Sequence, residues 1–179
     1  PEGLFFPDTY RFSPGARDIE VFRNAYEAQK RTLQAAWEGR ASELPYRNPY
    51  EALVMASIIE KETGLADERD KVAGVFVNRM RRGMMLQSDP TTIYGLGDRF
   101  DGNLRKRDLQ ADTAYNTYTR AGLPPTPIAL PGRESIEAAL HPANIQSLYF
   151  VSRGDGTSEF SDDLASHNRA VSRYQRGGR

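Results

Sequence analysis

The feature that most constrains the fold is an apolar segment with clear ends, residues 50–63. Asn48 is suited to cap the first free amides of a helix, and Pro49 suits the first helical position, where no N–H is needed. Gly64 is placed to end the helix in the left-handed conformation. Apolar side chains cover nearly the whole circumference at about 100° per residue, and a helix that is apolar all round is buried. The segment therefore predicts a central, buried helix.

Two glutamates, Glu60 and Glu62, occupy the last turn of this segment. Acidic groups oppose the helix dipole there, so they are expected to be either paired with cations, such as Lys61 or Arg69, or functional. Being two residues apart, they point about 160° away from each other and cannot flank one bond together. A carboxyl group held against apolar side chains has a raised pKa and can act as a general acid near neutral pH. Helical angles alone do not choose between them.

The charge balance and the residue inventory exclude several classes of function. Lys plus Arg equals Asp plus Glu at 24 each, and a net charge of zero argues against a broad nucleic-acid-binding face. The absence of cysteine excludes disulfides, thiolate metal sites and a cysteine nucleophile. His141 and His167 lack zinc-site spacing, and no glycine-rich phosphate loop is present. We therefore predict no metal and no cofactor, and we expect both histidines to be structural, with His141, next to Pro142, still a candidate to line a site.

Helical patterns and short β-prone runs alternate without a regular β-α-β rhythm, which predicts an α+β fold. Further helices are predicted over residues 18–37, 67–82, 135–140 and 163–174, with a brief one capped by Ser88 or Asp89. Residues 148–152 and 157–161 flank an Arg-Gly-Asp-Gly turn and predict a β-hairpin, and residues 115–119 are β-prone. The charged face of the 67–82 helix is expected to be solvated.

The length predicts a single domain, residues 1–175, followed by a disordered tail at 176–179. No run of about 18 apolar residues is present. Because the chain starts with Pro1 rather than Met, we expect it to be a fragment of a longer protein, with any anchoring or targeting segment outside it.

Polar and aromatic side chains follow the central segment in loops. Such groups suit a sugar-binding groove, where rings stack on pyranose faces and amides bond to hydroxyls. The candidates are Gln87, Asp89, Tyr94, Tyr115, Asn116 and Tyr118.

Several motifs, in order along essentially the whole chain, together resemble one known family. They are residues 2–10 (EGLFFPDTY), 56–63 (ASIIEKET), 86–91 (LQSDPT), 115–118 (YNTY) and 122–125 (GLPP), extended by 76–79, 138–142, 148–151 and 164–168. The chain resembles the YceG-like endolytic murein transglycosylases of the MltG type. The resemblance implies an enzyme that cuts within the glycan strands of peptidoglycan and leaves 1,6-anhydro-MurNAc ends, with no metal or cofactor.

The resemblance also implies site residues and surroundings. The catalytic glutamate of the family lies in the Ser-Ile-x-Glu-Lys-Glu motif and is carried onto Glu60, the first of the two. A single carboxyl group serves as acid and then base, because the MurNAc 6-hydroxyl is the nucleophile. Substrate positioning is expected from Gln87, Asp89, Tyr115, Asn116 and Tyr118. Family members act on new glycan strands beside peptidoglycan synthases, on the periplasmic side of the inner membrane, held there by an N-terminal helix that precedes a LysM-like subdomain.

Two other functions are compatible with the same residues. One is a hydrolytic muramidase, in which Asp89 is the second carboxylate and the products carry reducing MurNAc ends. The other is a non-enzymatic peptidoglycan-binding module, whose function would survive loss of Glu60. A role in nucleic-acid binding is disfavoured by the zero net charge.

Overall fold

The computed structural model describes residues 2–176, in which seven α-helices and one antiparallel pair of strands form an α+β fold, as predicted. The elements are α1 (Asp18–Glu38), α2 (Pro49–Glu62), α3 (Arg69–Arg81), α4 (Asp89–Leu96), α5 (Lys106–Gln110), α6 (Arg133–Leu140), β1 (Tyr149–Ser152), β2 (Ser158–Ser161) and α7 (Leu164–Val171). Short 3₁₀ turns cover Ala66–Glu68 and Gly97–Arg99, and a π-helical turn covers Ser172–Arg176.

Helix α2 is the centre of the core, which confirms the prediction from its apolar circumference. The Asn48 side chain accepts the Glu51 N–H at 3.0 Å and so caps the helix. Every residue from 52 to 59 is buried. Helix α6 packs most extensively against α2, and α1, α3 and α4 complete the surroundings. Because each buried Leu or Ile side chain stabilises the fold by roughly 1.5–3 kcal/mol, this segment anchors the whole domain.

Two predicted helix ends are different in the structure. Helix α2 ends at Glu62. The backbone of its C-cap Thr63 is extended at φ −141° and ψ 135°, and Gly64 does not adopt the left-handed conformation. The extended residue turns the chain directly into the 3₁₀ turn that precedes α3. Helix α6 begins at Arg133 with Gly132 as its N-cap, and Ser135, predicted to cap it, is the third residue of its first turn. The Ser135 hydroxyl instead donates to a carboxylate of α2, as described below.

The predicted solvated face of the third helix is partly wrong, since two of its charged side chains are buried. Arg79 is 7% exposed and Glu68 is 8% exposed. Both are held by backbone groups: the Arg79 Nε donates to the Leu148 carbonyl, and Glu68 Oε1 accepts the Ser158 N–H. Charge patterning alone did not reveal this, because the partners come from the distant hairpin.

Residues 115–119 form turns rather than the β-prone run suggested by their composition. The buried Asn116 side chain is the cause. Its Nδ2 donates to the carbonyls of Leu109 and Ala111, and its Oδ1 accepts the Tyr118 N–H. A side chain that satisfies the local backbone in this way replaces the ladder that a strand would need.

The predicted β-hairpin is confirmed and stands beside α3. Strands β1 and β2 are antiparallel, with Tyr149 opposite Ser161 and Ser152 opposite Ser158. The Phe150 ring meets the Phe76 ring of α3 edge-on at 5.9 Å between centroids. Helix α7 packs on both strands. The hairpin therefore forms a fixed wall next to the C-terminal end of α2.

The C-terminal boundary predicted from the sequence, between residues 175 and 176, falls within a π-helical turn. Arg176, expected to start a disordered tail, is the last residue of the π-helical turn, and residues 177–179 lie outside the described part. The assignment of residues 1–175 to one domain stays a prediction. Among residues 2–176, no helix combines the length and hydropathy needed to cross a membrane.

Candidate active site

A cavity of about 580 Å³ opens where the C-terminal end of α2 meets α3, the start of α4, the hairpin and α7. Its lining mixes carboxylates, an arginine, amides and aromatic rings. The polar and aromatic members include Glu62, Phe76, Arg79, Gln87, Asp89, Tyr118, Tyr149, Ser152, His167 and Asn168. Four elements remote in sequence therefore surround one carboxyl group of α2. This first cavity is the candidate active site.

Glu62 provides that carboxyl group. Burial raises the pKa of Glu62 to about 7 and is the largest influence on it. The Ser88 hydroxyl lowers this pKa by hydrogen bonding, the charge of Asp89 raises it, and the charge of Arg79 lowers it. A carboxyl group with a pKa near 7 is present in both protonation states at neutral pH, so Glu62 can both donate and accept a proton.

Ser88 holds Glu62 in place. Its hydroxyl lies 2.5 Å from Glu62 Oε1, and its N–H donates to Thr117 Oγ1 at 3.0 Å. Thr91 Oγ1 donates to the Ser88 carbonyl at 2.7 Å and lies 2.8 Å from Thr117 Oγ1. All three hydroxyl residues are almost fully buried. Ser88, predicted only as a possible helix cap, makes no capping bond because its hydroxyl serves Glu62.

Arg79 forms a rigid cationic part of the wall. Its guanidinium donates to the Leu148 carbonyl at 2.7 Å and to the Leu86 carbonyl at 2.8 Å, and it lies 5.0 Å from the centre of the Tyr149 ring. It also reaches Gln87 Oε1 at 3.3 Å. The hairpin, the 84–87 segment and α3 are thereby tied together beside Glu62.

Three of the predicted substrate-positioning residues, Gln87, Asp89 and Tyr118, do line this cavity. The Tyr118 hydroxyl donates to Asp89 Oδ1 at 2.6 Å, and burial together with that bond raises the pKa of Tyr118. Gln87 has a backbone φ of +55°, which is rare for a residue with a side chain. Such strain is concentrated at functional sites, where the surrounding structure enforces it.

Glu60 is placed elsewhere. Its Oε2 accepts the Gly132 N–H at 3.0 Å and the Ser135 hydroxyl at 2.7 Å, at the start of α6. Glu60 is not among the residues that line the first cavity. A carboxylate at a helix N-terminus satisfies free amides and interacts favourably with the helix dipole. The geometry of Glu60 is therefore that of a capping group that ties α2 to α6.

Tyr115 and Asn116 are also not brought to the cavity. The Tyr115 ring packs on Tyr94 at 4.8 Å, and its hydroxyl lies 2.9 Å from Thr126 Oγ1. Asn116 is fully buried and holds the turn described above. These two residues shape the loop that presents Tyr118, and a role in substrate binding stays a prediction for both.

The two histidines have different positions. His141 is about half exposed, lies 3.8 Å from Glu137, and does not line the first cavity. His167 does line it, stacked on Tyr149 at 5.1 Å between ring centroids. Burial and the charge of Arg79 lower the pKa of His167, which favours the neutral imidazole near pH 7. The sequence predicts a structural role for His167. It misses the place of His167 in the cavity wall, because the contact with Tyr149 depends on tertiary packing.

The arrangement supports acid–base chemistry. One carboxyl group has a pKa near 7, a second carboxylate lies nearby, and aromatic and amide groups surround them. Within residues 2–176, no three His, Cys, Asp or Glu side chains are grouped closely enough to hold a metal ion.

Comparison with known proteins identifies the family of the chain. The sequence model of the YceG-like family matches residues 1–173. The chain belongs to the YceG-like family. It is 38% identical over 173 residues to an endolytic murein transglycosylase of Bacillus subtilis (strain 168), covering 97% of this chain and 48% of that protein. It is 29% identical over 178 residues to an endolytic murein transglycosylase of Streptococcus pneumoniae, covering 97% of this chain and 32% of that protein.

The fold is that of a solved YceG-like structure. A putative YceG-like protein from Listeria monocytogenes, known from a 2.6 Å crystal structure, superposes with a TM-score of 0.81 at 35% identity, covering 93% of this chain and 54% of that one. The resemblance seen in the sequence motifs is thereby confirmed at the level of family and fold. The chain spans about half or less of the length of these YceG-like proteins.

Proposed function

We propose that this chain is the catalytic region of an endolytic peptidoglycan lytic transglycosylase that cleaves the MurNAc-β-1,4-GlcNAc bond of glycan strands. The observation that carries the proposal is a single carboxyl group, Glu62, with a pKa near 7 at an open polar cavity. The name that relatives in Bacillus and Streptococcus bear, endolytic murein transglycosylase, supports the same substrate class.

We assign the acid–base role to Glu62 rather than to Glu60, the residue expected from the family motif. Glu62 lines the cavity, whereas Glu60 accepts two hydrogen bonds at the start of α6. A catalytic acid must reach the proton acceptor on the substrate, so position is the first criterion and pKa the second. Glu62 meets both, and Glu60 would have to abandon its contacts with Gly132 and Ser135.

The reaction follows from one carboxyl group in two protonation states. Protonated Glu62 donates its proton to the oxygen that links MurNAc to GlcNAc, and the bond from C1 of MurNAc to that oxygen breaks. Positive charge of oxocarbenium character develops at C1. The MurNAc 6-hydroxyl attacks C1, and ionised Glu62 takes the hydroxyl proton. The products are a 1,6-anhydro-MurNAc end and a free GlcNAc 4-hydroxyl, and Glu62 is protonated again.

Gln87, Asp89 and Tyr118 are proposed to position the sugar. The hydrogen bond from Tyr118 fixes the Asp89 carboxylate, and the charge of Asp89 helps keep Glu62 protonated before the reaction. Because the nucleophile belongs to the substrate, no second protein carboxylate has to activate a water molecule, and the internal hydroxyl has a high effective concentration.

The direct test is digestion of purified sacculi by the wild type, Glu62→Gln and Glu60→Gln, followed by mass spectrometry of the released muropeptides. We expect anhydro-muropeptides from the wild type and Glu60→Gln, and a loss of at least about 100-fold in Glu62→Gln, which lacks the transferable proton. Loss of cleavage only in Glu60→Gln would return the role to Glu60. Full activity in both variants would exclude both glutamates as the acid, and binding of sacculi without cleavage by the wild type would favour a non-enzymatic binding module.

A hydrolytic muramidase is the second candidate, because Asp89 lies in the same cavity and influences the pKa of Glu62. In that reaction Asp89 is the second carboxylate and water supplies the nucleophile. The same mass spectra separate the two reactions. Reducing MurNAc ends in place of anhydro ends would identify the muramidase.

The cellular setting is proposed from the family resemblance. The parent protein acts on the periplasmic side of the inner membrane, beside peptidoglycan synthases, and terminates new glycan strands. The location is tested with a fluorescent fusion of the full-length parent that carries an added protease site in its catalytic region, and with the same fusion lacking that site. Cleavage by protease added to intact spheroplasts places the catalytic region on the outer side of the membrane. Crosslinking of that parent to the synthases tests the partnership, and protease resistance in intact spheroplasts would contradict the placement.

A further inference from the structure

A second cavity, of about 550 Å³, lies beside the first, and the two share Ser158 of β2 in their linings. Ionisable side chains dominate the second cavity. Its polar lining consists of Glu68, Lys71, Ser147, Arg153, Thr157 and Glu159 together with Ser158. Nothing in the proposed glycan cleavage uses this group of charges.

Glu68 is the unusual member of the second cavity. It is 8% exposed, and its Oε1 accepts the Ser158 N–H at 2.9 Å. Its Oε2 is closed off from solvent and has no hydrogen-bond partner among the described residues. A buried carboxylate oxygen without a donor is costly, and native structures rarely leave one unexplained. The site therefore lacks a donor, and a cationic N–H group is the donor that matches a carboxylate best.

The neighbouring charges do not supply that donor. Arg153 is committed to Glu159 at 3.4 Å, and Glu159 also accepts the Tyr174 hydroxyl at 2.8 Å. Lys71 is exposed and forms no ion pair within residues 2–176. The cavity thus offers one buried carboxylate oxygen without a donor and, among the described residues, an exposed lysine without an ion-pair partner. Their complement is a ligand that carries an amine and a carboxylate.

We infer that the second cavity binds the stem peptide of peptidoglycan, with the side-chain amine of its diamino acid at Glu68 and a stem carboxylate at Lys71. The identity of this ligand rests on the proposed function. The two cavities share Ser158 in their linings, so a stem attached to a sugar in the first cavity has the required reach, because three extended residues span about 10 Å. The hairpin would lie between the glycan and its peptide.

Binding of two tripeptides tests the amine contact. The probes are L-Ala-γ-D-Glu-L-Lys and the same peptide with its lysine side-chain amine acetylated, titrated into the 179-residue chain by calorimetry or NMR. We expect the free amine to bind at least about tenfold more tightly to the wild type, since acetylation removes the charge that a buried carboxylate recognises. Equal affinities of the two peptides, or no binding of either, would overturn the inference.

Variants locate the contact. Glu68→Gln keeps an acceptor for the Ser158 N–H but loses the charge, and it should bind both peptides equally and weakly. Lys71→Ala changes an exposed side chain. It should lower the affinity for both peptides by a similar factor and preserve the preference for the free amine. Glu62→Gln, in the first cavity, should bind as the wild type does. If Glu68→Gln prefers the free-amine peptide over the acetylated one as strongly as the wild type does, the assignment of the amine to Glu68 is contradicted.

A second assay separates this inference from the proposed function. Glycan strands stripped of their peptides by an amidase contain no ligand for the second cavity. Wild type and Glu68→Gln should cleave them at equal rates, while Glu68→Gln loses the preference for strands that carry stems. If stripped and intact strands both resist the wild type although the tripeptides are discriminated, the glycan-cleaving function fails and the amine site stands.

Discussion

The Ser88 hydroxyl donates a 2.5 Å hydrogen bond to Oε1 of Glu62 and joins the start of α4 to the end of α2. This bond opposes the effect of burial on the Glu62 pKa. The serine therefore tunes the carboxyl group as well as orienting it. A parallel bond, from Ser135 to Glu60, exists on the other side of α2.

These two serines form a matched pair for identifying the catalytic acid. In Ser88→Ala the Glu62 pKa should rise, because the bond that stabilises the ionised form is gone, and the alkaline limb of the kcat/KM profile should move up by about one pH unit. Ser135→Ala should leave the profile in place. The measurement is the rate of anhydro-muropeptide release between pH 5 and 9. A shift in Ser135→Ala instead would indicate Glu60.

Asp89→Asn should move the same limb in the opposite direction. The negative charge of Asp89 raises the pKa of Glu62, so its removal lowers that pKa and leaves less of the protonated acid at neutral pH. Activity at pH 7 should fall, with part of the loss recovered at pH 5.5. Asp112→Asn, on an exposed aspartate paired with Arg120, is the control and should leave the profile unchanged. An upward or absent shift in Asp89→Asn would contradict this account.

Ionisation of Glu62 should destabilise the fold at alkaline pH. Its folded pKa of about 7 exceeds the ordinary 4.5, so the folded state binds more protons between these values and the free energy of unfolding falls as pH rises through that window. Glu62→Gln removes this loss and should be more stable than the wild type at pH 8 by up to about 3 kcal/mol. Urea unfolding at pH 4 and pH 8 measures the difference. If the free energy of unfolding of the wild type exceeds that of the variant by the same amount at both pH values, ionisation of Glu62 does not destabilise the fold.

Glu60 should matter for stability rather than for catalysis. Removing its carboxylate in Glu60→Ala leaves the Gly132 N–H and the Ser135 hydroxyl without their acceptor, which should cost about 1–3 kcal/mol. Urea unfolding gives that cost, and the specific activity of the folded fraction should match the wild type. Glu38→Ala, at an exposed glutamate of α1, is the control with a near-neutral effect. A folded but inactive Glu60→Ala would argue for a catalytic Glu60.

Two glycines that follow helices should respond differently to alanine. Gly83 has a φ of +65°, so Gly83→Ala should cost about 1 kcal/mol by forcing a side chain into the left-handed region. Gly64 is not left-handed, and a Cβ there meets no atom within 4 Å, so Gly64→Ala should be neutral or stabilising by up to about 1 kcal/mol. Thermal unfolding of both variants measures the contrast. Equal destabilisation would mean that Gly64 ends α2 as its position in the sequence suggested.

The sequence by itself determined the α+β class, the buried central helix with its Asn48 cap, the hairpin and the family. Each of these depends on local information: periodicity, capping residues, turn chemistry and ordered motifs. It also indicated that one of two glutamates at the end of α2 is exceptional and that they face apart. Helical angles place side chains relative to their own axis, and on that basis Glu60 and Glu62 are equivalent.

Only the tertiary structure distinguished the two carboxylates, because their surroundings come from distant parts of the chain. Gly132 and Ser135 of α6 occupy Glu60, whereas Ser88, Asp89 and the hairpin wall enclose Glu62. Burial dominates the pKa of Glu62, and the residues that bury it come from other elements, so the sequence of α2 alone does not say which of its two glutamates they enclose.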